Sequence, residues 1–469
     1  MRPAAPAPRP IVAFALALAV VLSGCTVTGP DYVRPASTLP AAYPQDLGAT
    51  AGAATPLASN WWKQFGDPGL DALVATALAR NADLELAAAR VEEADAVMRE
   101  VGANFLPQVN LGASGSRSRT SGLTAQRNAV VSNNLKLSAS TSFEIDFWGR
   151  LRRGSEAARA QALATRHARD VMALSIAGLT TQAYFALRSL DAQIAIVRRT
   201  LATRDEGLRI VRARLDAGVA SRLDLEQAEA LRADAAIQLR ELQRQRGLAA
   251  LQIGRLSGQP GLELATREGA LPSPPEIPVG LPSDLLARRP DLRQAEQQLV
   301  AANALVGVAR AAMLPSISLT GSLGAESTAL ASLIDPAARI WSLGFGLALP
   351  IFDGGRLEAR SDQASARARQ AVAAYQGAAQ SAFREVADAL VSARAAREAQ
   401  SEIGARAAAA RRAVGLARLR YEAGYSPYLE LLDAERGANA AEVEQVRNAQ
   451  ARLGAAVDLF KALSGGWAD

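Results

Sequence analysis

The chain has 469 residues, of which 5% are aromatic, and its formal net charge is +6. Such a low aromatic content, together with frequent alanine, suits long, closely packed helices better than a conventional globular core. Only three of the 52 basic residues are lysines, and they are scattered rather than clustered. We therefore expect no nucleic-acid partner.

The N-terminus predicts a signal peptide at residues 1–24. Two arginines precede the apolar run Ile11–Leu22, which is too short to cross a bilayer but suits a signal-peptide core. The run leads into Leu-Ser-Gly-Cys at residues 22–25, which looks like a bacterial lipobox and makes Cys25, the only cysteine, the predicted lipidation site. A buried thiol at the end of an apolar helix is the alternative. Thr26 follows where an aspartate would favour the inner membrane, so an outer-membrane destination is expected.

The chain contains two copies of one half-molecule. Residues from about 80 to 258 align with residues from about 289 to 465 at an offset of 206 to 208. Matching segments include Asp83-Leu84 with Asp291-Leu292, Leu106-Pro107 with Leu314-Pro315, and Ala217-Gly218 with Ala423-Gly424. Solenoid repeats are only about 20–50 residues long, so this unit is a duplicated half.

Each half carries two predicted strands in which apolar residues alternate with small or polar ones. The strands cover about 107–115 and 135–147 in the first half, and about 315–323 and 341–352 in the second. This alternation is typical of transmembrane barrel strands, and an ordinary two-sided sheet is the alternative for any one of them. Four strands cannot close a barrel, because about eight is the smallest number that can. We therefore expect an oligomer, in which three copies of four strands would supply 12 strands.

Each strand pair is followed by a long span without proline, through which a helix can run unbroken. We predict one helix at about Gly149–Leu215, with apolar residues at coiled-coil spacing, and its copy at about Gly355–Glu422. Each would be about 100 Å long. Hairpin tips are expected at 216–222 and 423–427.

Shorter helices are expected to return from the two tips. Leu223–Ser257 and Ser283–Met313 would stack end to end beside the first long helix, as Tyr428–Leu463 and Leu70–Phe105 would beside the second. In chain order, the predicted domains are a signal peptide (1–24), a lipidated N-terminal segment and equatorial wrap (25–69), the first repeat (70–258), an equatorial linker (259–282), the second repeat (283–464) and a C-terminal tail (465–469).

No residue pattern predicts catalysis, a metal site or a cofactor. The only histidine, His167, lies in mid-helix without a cysteine partner, and the four methionines do not cluster. The carboxylates are spread along charged helix faces, where solvation is the default interpretation. We therefore expect a protein that is not an enzyme.

Several motifs resemble those of the TolC-like outer-membrane factor family, over essentially the whole mature chain. They are the lipobox, Asn60-Trp61-Trp62, Phe147-Trp148-Gly149-Arg150, Arg289-Pro290-Asp291-Leu292 running into Met313-Leu314-Pro315, and Ala423-Gly424 followed by Tyr428-Leu429. The likeness is clearest to the lipoprotein branch that serves resistance–nodulation–division efflux systems.

The resemblance implies a mixed, mainly α fold with an internal two-fold repeat. In a homotrimer, four strands per chain would form a 12-stranded β-barrel in the outer membrane. A long α-helical coiled-coil barrel would continue it into the periplasm. The family's channels export small molecules such as drugs or toxic compounds passively. The expected partners are outer-membrane lipid, a periplasmic adaptor (membrane fusion) protein and an inner-membrane resistance–nodulation–division pump.

The resemblance also places a periplasmic gate at Leu429, Asp433 and Arg436. Their spacing of four and three residues puts them on one helix face, and a three-fold axis would turn each into a ring. A local surface Asp–Arg pair, worth a few tenths of a kcal/mol, is the alternative. Gly218 and Gly424 are the candidate adaptor contacts, with plain helix–helix turns as the alternative.

The two copies differ at the candidate gate. Asp433 and Arg436 align with Gln227 and Ala230 of the first half, whereas Leu429 keeps a leucine partner. This imperfection of the repeat favours a gate in the second half only.

Two other functions are compatible with parts of the sequence. A channel of the same fold could serve protein secretion or heavy-metal export, although the lipobox argues against secretion and the few methionines against copper. A periplasmic adaptor lipoprotein is the alternative from another class. It would carry one hairpin inside β-rich domains, rather than two hairpins joined to strand pairs.

Overall fold

The structure, a computed structural model, describes residues 27–36, 39–40, 42–43, 60–121, 123, 131–267, 269–277 and 288–463. The predicted signal peptide, the lipidation site Cys25 and the tail 465–469 lie outside these residues. The chain divides into two compact units. Unit one comprises Met1–Pro35, Val91–Thr165 and Ala295–Tyr375, and unit two comprises Ala36–Arg90, Arg166–Gln294 and Gln376–Asp469.

In the described residues, helices dominate and four strands accompany them. The helices are α1 (Pro68–Arg80), α2 (Ala82–Ala103), α3 (Arg150–Asp216), α4 (Arg222–Leu256), α5 (Pro290–Ala311), α6 (Arg356–Glu422) and α7 (Tyr428–Leu463). The strands are β1 (Gln108–Arg119), β2 (Val131–Ile145), β3 (Ser316–Ser327) and β4 (Arg339–Ala348). The mainly α fold class predicted from the sequence is confirmed.

The strands form one antiparallel sheet in the order β1-β2-β3-β4, within unit one. Its register separates two faces. The apolar face carries residues such as Val109, Leu111, Leu137, Phe143, Leu319, Leu323, Trp341, Leu343 and Phe345. The polar face carries Asn110, Gly112, Ser138, Ser140, Ser318, Ser322, Ser342 and Gly344. The apolar residues at the sheet edges, such as Leu111 and Phe345, are largely exposed.

The strand ends differ from those expected. β1 and β3 run on to Arg119 and Ser327, and β2 begins already at Val131, because the backbone ladder continues where the side chains turn polar. β4 stops at Ala348 rather than near 352. Pro350 has no N–H to donate to a ladder, which accounts for this early end.

Two 67-residue helices, α3 and α6, extend from the strands at equivalent points of the repeat. Asp146 accepts hydrogen bonds from the backbone N–H groups of Leu151 and Arg152 at the start of α3. Its counterpart Asp353 accepts one from the N–H of Leu357 at the start of α6. These carboxylates satisfy donors that an open helix end leaves unpaired. In the described parts of the chain, no helix combines the length and the apolar character needed to cross a membrane.

The expected single helix Leu70–Phe105 was wrong, because the chain breaks at Asn81 between α1 and α2. The Asn81 side chain accepts from the N–H of Asp83 and donates its Nδ2 to the carbonyl oxygen of Leu256, at 2.9 Å each. In the second repeat, Arg289 precedes α5 and donates to the carbonyl oxygen of Ala462. At each break, a side chain thus donates a hydrogen bond to a backbone carbonyl oxygen near the end of a helix that returns from a tip, which is α4 for Asn81 and α7 for Arg289.

The largest hydrophobic core lies in unit two, where residues 60–77 pack on the middle of α3 and the last turns of α7. Phe460 is fully buried there. Its ring stacks on Trp61 with centroids 5.3 Å apart and meets Phe65 edge-on at 5.7 Å. Phe65 also contacts Phe185 of α3 at 5.0 Å. Six of the 22 aromatic residues therefore gather where the N-terminal segment joins the helices.

In unit one, the residues just after the predicted lipidation site are bound to the base of the sheet. The backbone N–H of Thr28 donates to the carbonyl oxygen of Trp148, at the junction of β2 and α3. Asp31 pairs with the buried Arg153 of α3 at 2.6 Å, and Arg34 pairs with Glu296 of α5 at 2.7 Å. This segment therefore forms ion pairs with both repeats.

Candidate functional site

The two hairpin tips, α3–α4 and α6–α7, close with the same backbone motif. At the first, the N–H of Val219 bonds to the oxygen of Arg214, and that of Gly218 to Leu215, at 2.9 Å each. At the second, Tyr425 and Gly424 repeat this pattern at 2.8 and 3.1 Å. These are Schellman motifs, and both glycines have positive φ, +73° and +76°. The two glycines are thus required by the turn itself.

We expect Gly218→Ala and Gly424→Ala each to destabilise their hairpin by about 1–2 kcal/mol, because alanine pays a steric cost in the left-handed conformation. Space is not the cause, since no atom lies within 4 Å of a Cβ added at either glycine. Denaturant unfolding of the detergent-solubilised protein measures the change. The control Gly415→Ala lies inside α6, about two turns before its end, with equally open surroundings, and should instead stabilise by about 0.8–1 kcal/mol. The prediction would be contradicted if the tip variants and the control variant changed the free energy of unfolding in the same direction.

Close to the tips, the two hairpins share one small hydrophobic core in unit two. It contains Val211 of α3, Ala228 of α4, Ala417 of α6, and Tyr428 and Leu432 of α7. Val211 and Ala417 occupy equivalent positions of the repeat. The internal symmetry therefore extends into the packing between the hairpins.

Tyr428, the first residue of α7, lies against α3. A Cβ added to Gly207 of α3 would meet the Tyr428 hydroxyl oxygen at 2.8 Å, so the glycine makes room for the ring. The ring also contacts Tyr421 with centroids 5.1 Å apart. Burial, and then the nearby Glu435 carboxylate, raise the pKa of Tyr428 to about 12. The phenol is therefore neutral at any physiological pH.

About two turns further along α7, Glu435 binds two arginines from two other helices. Arg204 of α3 approaches to 2.6 Å, with its side chain 5% exposed, and Arg418 of α6 approaches to 3.3 Å. The Arg418–Glu435 pair has a repeat counterpart, Arg212–Glu229, at 2.5 Å on the first hairpin. Arg204 has none, because alanine stands at position 410. The Arg204–Glu435 pair thus joins the two hairpins.

The predicted gate residues lie on a different face of α7. Leu429 is 54% exposed, and the side chains of Asp433 and Arg436 are 65% and 71% exposed. Asp433 Oδ1 accepts from Arg436 Nη2 at 2.6 Å, as a pair three residues apart on one helix. Within one chain, this is the geometry of the local surface pair, which contributes little to stability. The three side chains point away from the core that holds Tyr428 and Leu432.

Each tip also presents two apolar side chains at equivalent positions. Val219 and Leu223 are 74% and 64% exposed at the first tip, and Tyr425 and Leu429 are 81% and 54% exposed at the second. Exposed apolar residues gathered at one place mark surfaces that bind partners. These side chains, more than the glycines beside them, are the groups with which the tips can make contacts.

The structure also places the one histidine. His167 Nδ1 lies 3.8 Å from one carboxylate oxygen of Asp170, and Arg169 binds the other carboxylate oxygen. Among the described residues, no group of three or more His, Cys, Asp or Glu side chains is placed to hold a metal ion.

Arg204 and Glu435 are not among the site residues predicted from the sequence, although one clue is present there. Comparing the halves at an offset of 206 shows an arginine at 204 where the second half has an alanine. That difference is of the same kind as the one at Asp433 and Arg436, which supports the predicted gate. Its meaning depended on the contact with α7, 231 residues away in the chain.

Known proteins share this architecture. The outer membrane efflux protein family matches residues 73–259 and again 281–465, once for each repeat. Outer membrane protein OprJ of Pseudomonas aeruginosa is 36% identical over 97% of this chain and 95% of its own. Cation efflux system protein CusC of Escherichia coli O6:H1 is 34% identical over 98% of this chain and 99% of its own.

A solved structure of the outer-membrane channel OprN superimposes with a TM-score of 0.88 at 32% identity, over 94% of this chain and 99% of OprN. The match thus covers nearly the whole chain. Together with the double family match, it confirms the resemblance noted in the sequence. The chain belongs to the outer membrane efflux protein family.

Proposed function

We propose that this protein is the outer-membrane exit channel of a tripartite efflux system, through which small molecules leave the cell passively. The observation that carries the proposal is the sheet of unit one. It has one apolar face, one face of serine, glycine and asparagine, and edge strands β1 and β4 that each pair on one side only in the described chain. A sheet of this kind separates lipid from water once it closes on itself.

The apolar face has the height of a bilayer. Its apolar rows run along β2 from Leu135 to Ile145. Ten residue steps span about 33 Å along a strand. A tilt of about 40° reduces that to about 25 Å, the height of the apolar band of outer-membrane barrels. The polar face would then line a water-filled passage.

Closure requires other copies of the chain. Because about eight strands is the smallest closed barrel, four strands cannot surround a passage. We propose a homotrimer, in which β1 of one copy pairs with β4 of the next and 12 strands close the barrel. Lipid on Cys25 would anchor each copy beside this barrel, since residues 28–34 bind its base.

The hairpin tips are proposed to meet a periplasmic adaptor, which in turn joins an inner-membrane resistance–nodulation–division pump. Support comes from the exposed apolar side chains at both tips, Val219 and Leu223, and Tyr425 and Leu429. A relative of similar length, 35% identical, is named toluene efflux pump outer membrane protein TtgF of Pseudomonas putida. Selection of the exported compound is assigned to the pump, because a passive duct makes few specific contacts.

We propose that α7 forms the periplasmic gate. On its packed face, Tyr428 and Glu435 hold it against α3. On its free face, Leu429, Asp433 and Arg436 would form three rings around the trimer axis. In the closed trimer, Asp433 of one copy would pair with Arg436 of the next. Opening would move α7 away from its neighbours and exchange these ion pairs for water.

Heavy-metal export is the second candidate, and the relative named cation efflux system protein CusC favours it. The donor groups of this chain do not add to that support. Clusters of three or more potential metal-binding side chains are missing from the described residues, and the chain has only four methionines. Soft-metal transport relies on such ligands.

Single-channel recording in planar bilayers tests the proposed function and gate. We expect the purified wild-type trimer to conduct poorly, and Asp433→Ala with Arg436→Ala to raise its conductance several-fold, because charge pairs between copies are lost. The control exchanges the matched pair of the first repeat, Gln227→Ala with Ala230→Ser, and should leave conductance unchanged. An unchanged current through a verified Asp433/Arg436 double-variant trimer would remove these residues from the gate.

A further inference from the structure

Arginines border the apolar face of the sheet at one end. Arg117 and Arg119 lie near the end of β1, and Arg339 begins β4. The register puts all three on the same face as Leu111 and Trp341. Arg117 pairs with Asn133 of β2, and Arg339 pairs with Ala325 of β3, so they follow directly on the last apolar rows. We name Arg117, Arg119 and Arg339 the rim arginines.

The rim lies at the end of the sheet away from the helices. β1 leaves α2 at Gln108 and reaches the rim at Arg119, whereas β4 starts at the rim and runs toward α6. In the proposed channel, this is the outer end of the barrel. Trp341, 79% exposed and one row below Arg339, is an aromatic residue of the kind that lies at the level of lipid headgroups.

The rim arginines are free to bind an external anion. All three are exposed, and no ion pair engages them in the described residues. Glu326, the acidic residue of β3 nearest this end, belongs to the opposite face, where it pairs across the strands with Lys136 and accepts from Asn134. Asp335 is in the loop before β4. The apolar side of the rim therefore carries a concentrated positive charge.

The rim arginines lie on the two edge strands. When β1 of one copy pairs with β4 of the next, Arg117 and Arg119 come beside Arg339 of the partner subunit. Each of the three seams of a trimer would then hold a group of three guanidinium groups, at the boundary between lipid tails and headgroups.

We propose that each seam is a binding site for the phosphate groups of an anionic lipid in the outer leaflet. The inference deepens the proposed function and rests on the trimeric barrel that it describes. Arginine suits this ligand, because its planar fork of donors binds phosphate oxygens in pairs. Apolar side chains directly below the arginines would hold the acyl chains of the same molecule. A free phosphate ion would not use them.

Native mass spectrometry of the purified trimer tests the site, with diphosphorylated lipid A as the probe. We expect up to three lipids per trimer, and at least tenfold weaker binding after Arg117→Gln, Arg119→Gln and Arg339→Gln together. The matched control is Arg240→Gln, Arg397→Gln and Arg412→Gln. These arginines are exposed on α4 and α6, and their loss changes the net charge equally. The control variant should bind lipid like the wild type.

Two measurements on the wild-type protein also test the lipid site. Fully dephosphorylated lipid A should bind at least tenfold more weakly than the diphosphorylated form, and inorganic phosphate should not displace the bound lipid. Equal binding of both lipids, or equal loss in the two triple variants, would overturn the site. So would displacement by inorganic phosphate. If the purified wild type forms no trimer, or a trimer without even a small conductance, the proposed function itself fails, and the recordings described above detect that separately.

Discussion

Glu435→Ala is expected to destabilise the tip region by about 3–5 kcal/mol, because removing one partner of a buried ion pair leaves the other charge uncompensated. The side chains of Arg204 and Glu435 are only 5% and 14% exposed. Since this pair joins α7 to α3, its loss should also release α7 and raise the conductance of the trimer. Hydrogen–deuterium exchange at the start of α7 reports the first effect, and planar-bilayer recording reports the second.

The internal repeat supplies the control for this experiment. Glu229→Ala removes the equivalent carboxylate of the first hairpin, whose pair with Arg212 is exposed, with side chains 43% and 58% accessible. Such a surface pair is worth about 0–1 kcal/mol. Arg204→Leu combined with Glu435→Ala should recover part of the lost stability, because no buried charge remains. Equal effects of Glu435→Ala and Glu229→Ala would show that Arg204 contributes nothing to holding α7.

Phe460→Ala is expected to destabilise the protein by about 3–5 kcal/mol, the usual cost of deleting a buried phenylalanine. Its ring is fully buried between Trp61 and Phe65, where α7 meets the N-terminal segment. The alanine leaves a cavity that this rigid aromatic cluster cannot fill. Denaturant unfolding followed by tryptophan fluorescence measures the loss, since Trp61 and Trp62 belong to the same core.

Phe460→Leu is the conservative control, and it should cost less because most of the buried volume stays. Phe460→Ala should also weaken the attachment of residues 60–66, so proteolysis at this segment should accelerate in the alanine variant. If the alanine and leucine variants unfold at the same denaturant concentration, the aromatic cluster does not contribute the stability assigned to it.

Features encoded locally were predictable from the sequence. The period of two in segments such as Leu135–Ile145 identifies which strand residues share a face, whatever the rest of the chain does. The long helices follow from spans without proline, and they begin within one residue of the expected Gly149 and Gly355. The glycines of the tips are evident because only glycine adopts positive φ without cost. Because of the duplication, each of these local patterns occurs twice in the sequence.

The ends of elements were predicted less well. The apolar alternation of β1 fades after Ala113, yet the ladder continues to Arg119, since backbone pairing needs no apolar side chain. The strand predicted at about 107–115 therefore leaves out Arg117 and Arg119. Asn81 interrupts a sequence with good helical periodicity, and only the carbonyl oxygen of Leu256, 175 residues away, accounts for the break.

By itself, the sequence determined the fold class, the family, the duplication, and the residue types at the tips and on each sheet face. These depend on neighbours within a few positions. The tertiary structure alone decided which faces meet: Tyr428 against Gly207, Glu435 between Arg204 and Arg418, and Phe460 against Trp61. Such contacts join helices far apart in the chain. An exposed arginine and a buried one look alike in sequence, because only packing removes one of them from water.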